Sequence, residues 1–406
     1  MANVVGNYNP VFYAQEALVW LSNNLGMAGR VHRGAEAERS GAGNNKGDTI
    51  NLKRPTTFTA AEHVAGTGSS TQDVVGENVQ ILLNNHQEVK YKLTDRELAY
   101  TSEQIITDHI GPAANALAQK IDEDLHALGN TVGPKSIVSG SVDSGFITGP
   151  RKTLVDNKTP MDGVNVHYLV DSGMEAAFLD LGIFHEAQVT GQGANASLFT
   201  GSLGQRFGVE VFATQNADVS KSAMTSTATA SDASGDEVGA VNGAVAANVA
   251  TMAVNGMTGV ETLQIGDTFT IAGDSTTYIL TAATTLSSGA GSVTFYPALR
   301  KNAANAAVVT FDNLNAVQEA AHLQNLMFHK NAFALAFAPL PSTGDGKGAE
   351  IATAVDERSG IAVRARMWYD GGTASNFVAL DALYGTQTLD GNLATRVLRA
   401  TSVAPV

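Results

Sequence analysis

The chain contains no cysteine among its 406 residues. This absence excludes disulfide bonds, thiolate metal sites and a cysteine nucleophile, and it agrees with folding in a reducing cytosol. Basic residues are also scarce: 25 Lys and Arg stand against 39 Asp and Glu, which gives a formal net charge of -14. Because such a surface repels nucleic acid at long range, the composition argues against a DNA reader with a broad basic face.

Long apolar runs and targeting segments are missing as well. No uninterrupted apolar run is long enough to cross a bilayer. The N-terminal stretch has no basic region before its apolar residues and carries Glu16, unlike a signal peptide. We therefore expect a protein that is soluble and intracellular when made. The hydrophobic content of 44% is typical of a folded chain, and 406 residues suffice for two or three domains with their own cores.

Motifs that carry chemistry are equally sparse. His322 and His329 lie seven residues apart without an HExxH frame. Residues 191–196 match G-x-G-x-x-A but lack the following acidic residue and the helix of a dinucleotide site. Residues 344–347 lack the upstream glycine and the Ser/Thr of a P-loop, and no G-x-S-x-G turn occurs.

The remaining polar candidates are interpreted as structural. His167 lies inside a strand pattern, where a histidine usually serves packing. Asp122, Glu123 and Asp124 are consecutive, and consecutive helical residues point about 100° apart, so we interpret them as a solvated face. We predict no catalytic residue, no cofactor and no metal ion.

A short amphipathic helix is predicted near the N-terminus. Asn9 can cap this helix, Pro10 suits its first turn, and Gly26 ends it. Trp20 lies beside one apolar stripe, which consists of Ala14, Leu18, Leu21 and Leu25. Such a stripe usually packs against the chain's own core, and docking onto another subunit is the alternative.

Residues 47–93 have the pattern of a long two-stranded β-arm. Residues 49–53 alternate as a strand, residues 55–76 are turn-rich, and residues 79–93 alternate again. Because an isolated hairpin is marginal in water, we expect a neighbouring subunit to cover the arm. Its basic residues are candidate inter-subunit contacts, although a lysine there is more often a surface charge: Lys53, Arg54, Lys90 and Lys92.

The longest helical pattern covers residues 94–130. Thr94 and Glu97 can form a capping box, and Gly129-Asn130 stops the helix. One face repeats at helical spacing, through Leu117, Ile121, Leu125 and Leu128. Gly111-Pro112 interrupts the middle, where proline removes a backbone donor and clashes with the preceding turn. We predict a long kinked helix with its hinge at Gly111 and Pro112.

A mixed α/β pattern follows over residues 131–216. It includes a strand at 164–170, a helix with a Ser172/Glu175 capping box, and a strand over residues 207–212. From residue 217 the composition shifts to Ala, Ser, Thr and Gly, with short β-runs to residue 311. This is the pattern of a small β-barrel or sandwich, inserted into the mixed domain.

The mixed pattern resumes over residues 312–406. Phe333, Leu335 and Phe337 share one strand face. A later strand puts apolar residues on one face and Arg364, Arg366 and Trp368 on the other; the apolar ones are Ile361, Val363, Ala365 and Met367. We predict an α+β fold overall.

This order of segments resembles the major capsid proteins of tailed bacteriophages with the HK97-like fold, specifically the P22 coat type with its insertion domain. The stretches that carry the resemblance are VQILLNNHQEVKYKLTDREL (79–98), NLMFHKNAFALAFAPLP (325–341), GIAVRARMWYDGG (360–372) and LDALYG (380–385). The resemblance covers nearly the whole chain and is one of layout. The insert is richer in Ala and Thr than the P22 insertion domain.

The resemblance implies a domain layout. It comprises an N-terminal arm (1–46), an E-loop β-arm (47–93), a spine helix with the peripheral domain (94–130), an axial α/β domain (131–216), an inserted β-domain (217–311), and a return to the peripheral and axial domains (312–406).

The resemblance also implies a function: pentamers and hexamers would close into an icosahedral shell around double-stranded DNA, without enzymatic activity. Shells would assemble in the host cytoplasm, and the protein would reside in the virion capsid. Implied partners are a scaffolding protein, a portal protein, a possible decoration protein and packaged DNA in weak contact, with no membrane. Two alternatives stay open: a tail or receptor-binding protein that forms a small oligomer, and an enzyme whose site is built from scattered residues.

Overall fold

The computed structural model describes most of the chain, namely residues 10–33, 47–54, 63, 77–94, 109–138, 142–185, 203–215, 219–220, 237–257, 262–263, 265–274, 276–311, 322–323, 325–341, 349–356 and 360–399. Helices and strands both occur, so the α+β class is confirmed. The chain divides into two compact units. Unit 1 comprises Met1–Leu25, His32–Ile121 and Phe333–Leu389, and unit 2 comprises Gly26–Val31, Asp122–Ala332 and Asp390–Val406.

The α-helices of the described residues are α1 (Pro10–Asn24), α2 (Gly111–Ala127), α3 (Gly145–Asp156), α4 (Ser172–Leu179) and α5 (Gly182–His185). Short 3-10 helices lie at Met27–Gly29, Leu128–Thr131, Lys330–Ala332 and Gly391–Leu393. Within the described ranges, no helix combines the length and the apolar character that crossing a membrane requires.

The strands follow in chain order. The first group is β1 (Thr49–Arg54), β2 (Glu77–Leu82), β3 (Asn85–Thr94), β4 (Lys135–Val138), β5 (Val166–Val170), β6 (Gly204–Arg206), β7 (Val209–Ala213) and β8 (Val219–Ser220). The second is β9 (Glu237–Val241), β10 (Thr251–Asn255), β11 (Thr262–Leu263), β12 (Thr268–Ile271), β13 (Tyr278–Leu280), β14 (Thr284–Thr285), β15 (Gly291–Tyr296) and β16 (Val308–Phe311). The third is β17 (His322–Leu323), β18 (Asn325–His329), β19 (Phe333–Ala338), β20 (Ala349–Val355), β21 (Ala362–Asp370), β22 (Ser375–Thr388) and β23 (Ala394–Arg399).

Unit 1 is built on a five-stranded antiparallel sheet. The long strand β22 pairs with β3 along one edge, and with β21 and then β19 along the other, while β20 pairs with β21. Helix α1 packs on β20 and β21. Its buried side chains are Tyr13, Ala14, Ala17 and Leu21, so the predicted amphipathic helix is confirmed and one face covers the chain's own sheet. Four other apolar side chains of α1 are exposed, namely Val11, Phe12, Val19 and Trp20.

The predicted β-arm divides into two different pairings. β1 pairs with β2, whereas β3 joins the five-stranded sheet. The apolar face of the β1–β2 pair packs on β19, through Ile50, Ile81, Leu83, Ala334, Ala336 and Ala338. Close approach is possible because position 385 is glycine: a Cβ on Gly385 would lie 2.4 Å from the carbonyl oxygen of Leu82. The chain therefore covers one face of the β1–β2 pair itself, and cover of the arm by a neighbouring subunit stays a prediction.

The start of the predicted long helix is also corrected. Thr94 ends β3 opposite Ser375, so it is a strand residue and not a helix cap. Sheet pairing over ten residues outweighs a local capping preference, since it satisfies many backbone groups at once. Residues 95–108, with Glu97, lie outside the described residues. α2 begins at Gly111 after π-helical backbone at 109–110, and its predicted apolar face is buried at Leu117, Ile121 and Leu125.

Unit 2 contains a six-stranded mixed sheet in the order β4-β23-β18-β5-β7-β6. β5 has strands on both sides, and all five of its residues are buried. Helices α3 and α4 cover the sheet with Phe146, Leu154, Met174 and Phe178. The cap of α4 is Asp171, whose carboxylate accepts the N–H of Gly173 at 3.0 Å, so the predicted Ser172/Glu175 capping box is corrected by one residue.

The strand predicted over residues 207–212 begins two residues later, as β7, after a turn that joins it to β6. β6 and β7 pair antiparallel with Arg206 opposite Val209, and Phe207-Gly208 form the turn between them. Both turn residues have positive φ, +50° and +74°, which a continuous strand cannot adopt. Alternating hydrophobicity concealed this turn because Phe207 and Val209 keep the strand spacing.

Residues 237–311 form a closed barrel in the order β10-β15-β13-β12-β16-β9. Its centre is aromatic: the ring of Phe269 lies 5.4, 5.3 and 5.0 Å from those of Tyr278, Phe295 and Phe311. In sequence the barrel separates β7 from β18, two strands of the same sheet. β8 before it pairs with β17 after it, which brings the two connecting segments together.

Candidate functional site

Charged side chains converge on one face of the sheet in unit 1. Asp381 on β22 is 0% exposed, and Arg364 Nε donates to its Oδ1 at 3.0 Å. Arg366 Nη2 lies 3.3 Å from Oδ2, and His86 Nε2 lies 3.1 Å from the same oxygen. Arg366 also reaches Glu88 at 2.9 Å. A buried carboxylate is tolerated only when cations and donors surround it, so this network fixes β3, β21 and β22 in register.

Lys90 lies on the same face and interacts with aromatic rings. Its Nζ lies 4.7 Å from the ring centre of Trp368 and 4.8 Å from that of Phe377, and these two rings stack 5.4 Å apart. Such cation–π contacts position the ammonium group within the chain. Lys92 follows two residues later, opposite Phe377, and is exposed.

The other two basic candidates lie in the β1–β2 pair. The backbone places Lys53 opposite Asn78 and Arg54 opposite Glu77; their side chains lie outside the described part of the structure. The structure therefore brings Lys90 and Lys92 together on β3 and places Lys53 and Arg54 on a separate strand pair. An inter-subunit role for these four residues stays a prediction.

The hinge residues lie at the beginning of α2. Pro112 is the second residue of α2 and follows the π-helical backbone at 109–110. Trp20 of α1 packs beside this point, since a Cβ on Gly111 would lie 3.6 Å from its ring. Because residues 95–108 lie outside the described residues, the kink at Gly111-Pro112 stays a prediction.

A second polar cluster ties the 26–31 segment to the sheet of unit 2. Arg30 donates to Glu210 through Nη2 at 2.8 Å and Nε at 3.2 Å, and its guanidinium lies 4.1 Å over the ring of Phe212. His167 Nδ1 lies 2.7 Å from Glu210 Oε2, the oxygen that also accepts from Arg30 Nε. The hydrogen bond from Arg30 lowers the pKa of Glu210, and burial lowers the pKa of His167.

This cluster is a structural contact, because Arg30 and His167 both bind the carboxylate of Glu210. The pKa direction favours a neutral imidazole whose Nδ1–H donates to the carboxylate, and the ring lies 5.7 Å from that of Phe328. The structural interpretation of His167 agrees with this burial and pairing. Among the described residues, no group of three or more His, Cys, Asp or Glu is placed to hold a metal ion.

Asp122 corrects the interpretation of the acidic run as a solvated face. It is buried, and its carboxylate accepts the N–H groups of Gly26 at 2.8 Å and Ala28 at 2.9 Å. It thereby fixes the short 3-10 turn that precedes Arg30. The sequence around Asp122 carries no signal for this partner, because Gly26 and Asp122 are 96 residues apart.

Arg396 is a third polar centre, at the contact between the barrel and the sheet of unit 2. It is buried on β23, and Nη2 donates to the carbonyl of Gly266 at 2.8 Å. Burial lowers its pKa to about 10, and the nearby carboxylate of Asp267 opposes that shift. The barrel approaches closely elsewhere too, since a Cβ on Gly133 would lie 2.9 Å from the carbonyl oxygen of Thr277. Sequence reasoning missed Arg396, because an arginine in an alternating strand resembles a surface residue.

No protein-family model matches the chain, and no curated protein matches it. Several solved structures match the chain. One from Mycobacterium phage Che8 is 13% identical, with 92% of this chain and 90% of that chain covered and a TM-score of 0.47. The capsid of the cyanophage P-SCSP1u is 10% identical, with coverage of 88% and 85% and a TM-score of 0.45. The mature capsid of bacteriophage PhiM1 is 10% identical, with coverage of 88% and 84% and a TM-score of 0.45.

Proposed function

We propose that this chain is a major capsid protein of a tailed bacteriophage, with an HK97-like fold and an insertion domain of the P22 type. The observation that carries the proposal is the order of its elements. An N-terminal helix, a strand pair, α2, a mixed sheet, a closed barrel and a return to the same sheet follow one another. This is the layout that the sequence resemblance implies.

The proposal assigns the described elements to parts of that layout. The β1–β2 pair would be the base of the E-loop, and α2 would belong to the spine helix. The six-stranded sheet would form the axial domain, and the five-stranded sheet the peripheral domain. The barrel over residues 237–311 would be the core of the insertion domain predicted at 217–311.

The surface of unit 1 also suits a subunit. α1 has four exposed apolar side chains, Val11, Phe12, Val19 and Trp20. Exposed apolar patches of this kind mark interaction surfaces in proteins. In an assembled shell, neighbouring subunits would cover these side chains.

The proposed assembly consists of pentamers and hexamers in an icosahedral shell around double-stranded DNA. The net charge of -14 favours weak contact between the wall and the packaged DNA. A scaffolding protein would direct closure in the host cytoplasm, a portal protein would occupy one vertex, and a decoration protein could bind the outside. The protein would end in the virion capsid.

Electron microscopy of the expressed full chain, with and without a co-expressed scaffolding protein, tests the proposal. We expect closed shells, sheets or capsomer-sized rings, and a sedimentation coefficient far above that of a monomer. A homogeneous trimer would favour the tail or receptor-binding alternative. A compact monomer that never assembles with the scaffolding protein present would contradict the shell function.

A further inference from the structure

A groove on unit 2 lies between helix α3 and the β6–β7 turn. Its cavity volume is about 560 Å³, and its lining consists of Thr148, Arg151, Lys152, Val155, Phe207 and Gly208. The lining therefore combines two cations with two large apolar side chains. None of the described residues that line it is acidic.

The turn residue Phe207 is unusual in two respects. It has φ +50° at the first of two central turn positions, and Gly208 follows at +74°. Two-residue hairpin turns with both φ values positive strongly prefer Asn-Gly, because a bulky side chain is strained there. Phe207 is also 43% exposed, so burial within its own chain offsets the strain only in part. Strained residues of this kind concentrate at sites that bind something.

The neighbouring side chains extend the same surface. Val155 is 47% exposed and lines the groove opposite the turn. Lys152 is largely exposed, and its ammonium group lies 3.6 Å from the carboxylate of Asp156, which is also exposed. An ion pair between exposed side chains contributes little to stability. The Nε of Arg151 is buried and has no hydrogen-bond partner among the described residues. An exposed aromatic and an arginine beside it are the residue types that dominate protein interfaces.

We infer that this groove binds the acidic surface of a second copy of the chain, with Phe207 as the apolar anchor. The choice of occupant rests on charge: each copy carries 39 acidic against 25 basic residues, so a cationic groove is complementary to the surface that other copies offer. Contact between the groove of one copy and a different patch of the next is head-to-tail, and repetition of such a contact closes a ring when its rotation divides a full turn. The inference rests on the proposed shell function and assigns one of its contacts.

Phe207→Asn tests the anchor, because it separates folding from assembly. Asn tolerates positive φ, so the unfolding midpoint should stay the same or rise, while the concentration needed for assembly should rise at least about tenfold. The matched control is Val164→Asn, which removes an apolar side chain that is 74% exposed in the same unit and does not line the groove. It should assemble like the wild type.

Lys152→Glu tests the charge, with Lys330→Glu as the matched control on an exposed lysine of unit 2. We expect Lys152→Glu alone to weaken assembly, and added salt to reduce the difference between the two variants. Sedimentation velocity and thermal unfolding of the full chain give both readouts.

Four outcomes would overturn the inference. If the wild type and Phe207→Asn form the same shells at the same concentration, the groove is not an assembly contact and the shell function is unaffected. If Phe207→Asn loses stability and assembly together, Phe207 stabilises the fold and is not an assembly contact. Normal shells that hold less DNA in the Lys152→Glu variant would assign the groove to nucleic acid. A wild-type chain that stays monomeric would reject the groove and the shell function together.

Discussion

The barrel and the six-stranded sheet of unit 2 are built in opposite ways. All barrel strands come from the continuous segment 237–311, whereas the sheet strands come from residues 135–399 with the barrel between them. Barrel contacts therefore close short loops, and sheet contacts close long ones, which costs more chain entropy. The difference indicates that the barrel can form first and that its formation brings β8 and β17 together, shortening the loop that the sheet must close.

The two regions also differ in what they bury. The barrel centre is a cluster of aromatic rings around Phe269. The sheet holds ionisable groups, with His167 buried against Glu210 and Arg396 buried on β23. Burial of charge makes stability depend on partners and on pH, whereas burial of apolar rings does not. The barrel segment buries the carboxylate of Asp267 but no histidine, so the sheet should respond to changes of histidine charge that leave the barrel intact.

The largest effect is expected from Phe269→Ala in the barrel. Loss of a fully buried ring leaves a cavity among three aromatic neighbours, which should cost about 3–5 kcal/mol. Ile265→Ala, at an exposed barrel position, is the control and should change stability by less than about 0.5 kcal/mol. In the excised fragment 217–311 we expect a β-type circular dichroism spectrum and a cooperative melt, both lost in Phe269→Ala. A random-coil spectrum of the wild-type fragment would contradict an independent barrel.

A smaller effect is expected from Arg396→Met where the sheet meets the barrel. Removal of the guanidinium deprives Asp267 of its buried cation and the Gly266 carbonyl of a donor, which should cost roughly 3 kcal/mol. Denaturant unfolding should show the loss in the sheet, with the barrel transition shifted less. Arg300→Met makes the same chemical change at an exposed barrel position and should be nearly neutral. Equal losses from both variants would mean that burial of Arg396 adds nothing.

The smallest effect is expected from His167→Gln, and it concerns pH. Burial lowers the pKa of His167 from 6.5, so below that pH the unfolded chain binds a proton that the folded chain refuses, and stability falls as pH falls. The pKa of Glu210 is lowered from 4.5 by Arg30, so a further loss follows below that value. His167→Gln should flatten the first loss, because glutamine does not titrate.

His329 decides how the pH experiment is controlled. Burial lowers its pKa too, so the single variant keeps part of the slope and His167→Gln with His329→Gln should remove more of it. The barrel transition is the internal reference, because residues 217–311 contain no histidine. A slope between about pH 5 and 7 that is the same in all variants would show that these histidines do not set it.

The sequence predicted best where one face of an element is buried. The stripe of α1, the apolar face of α2 and the alternation of Arg364 and Arg366 against Val363 all appear in the structure. Each depends only on the period of a helix or a strand, which residue order encodes directly. The shift in composition near residue 217 also precedes the barrel segment, since short strands with frequent turns have a composition of their own.

Only the tertiary structure decided the partners. Thr94 has the residue type of a helix cap, yet it pairs with Ser375 because β22 offers a complete edge to β3. The sequence predicts that Asp122 is solvated, but its carboxylate accepts hydrogen bonds from the backbone of Gly26 and Ala28. The sequence also predicts that Phe207 is a strand residue, but Arg206 pairs with Val209 and places Phe207 in the turn. The residue sequence by itself determined which faces are apolar. Which distant segment covers each face, and where backbone pairing forces a turn, depends on contacts between residues far apart in the chain, which no local pattern records.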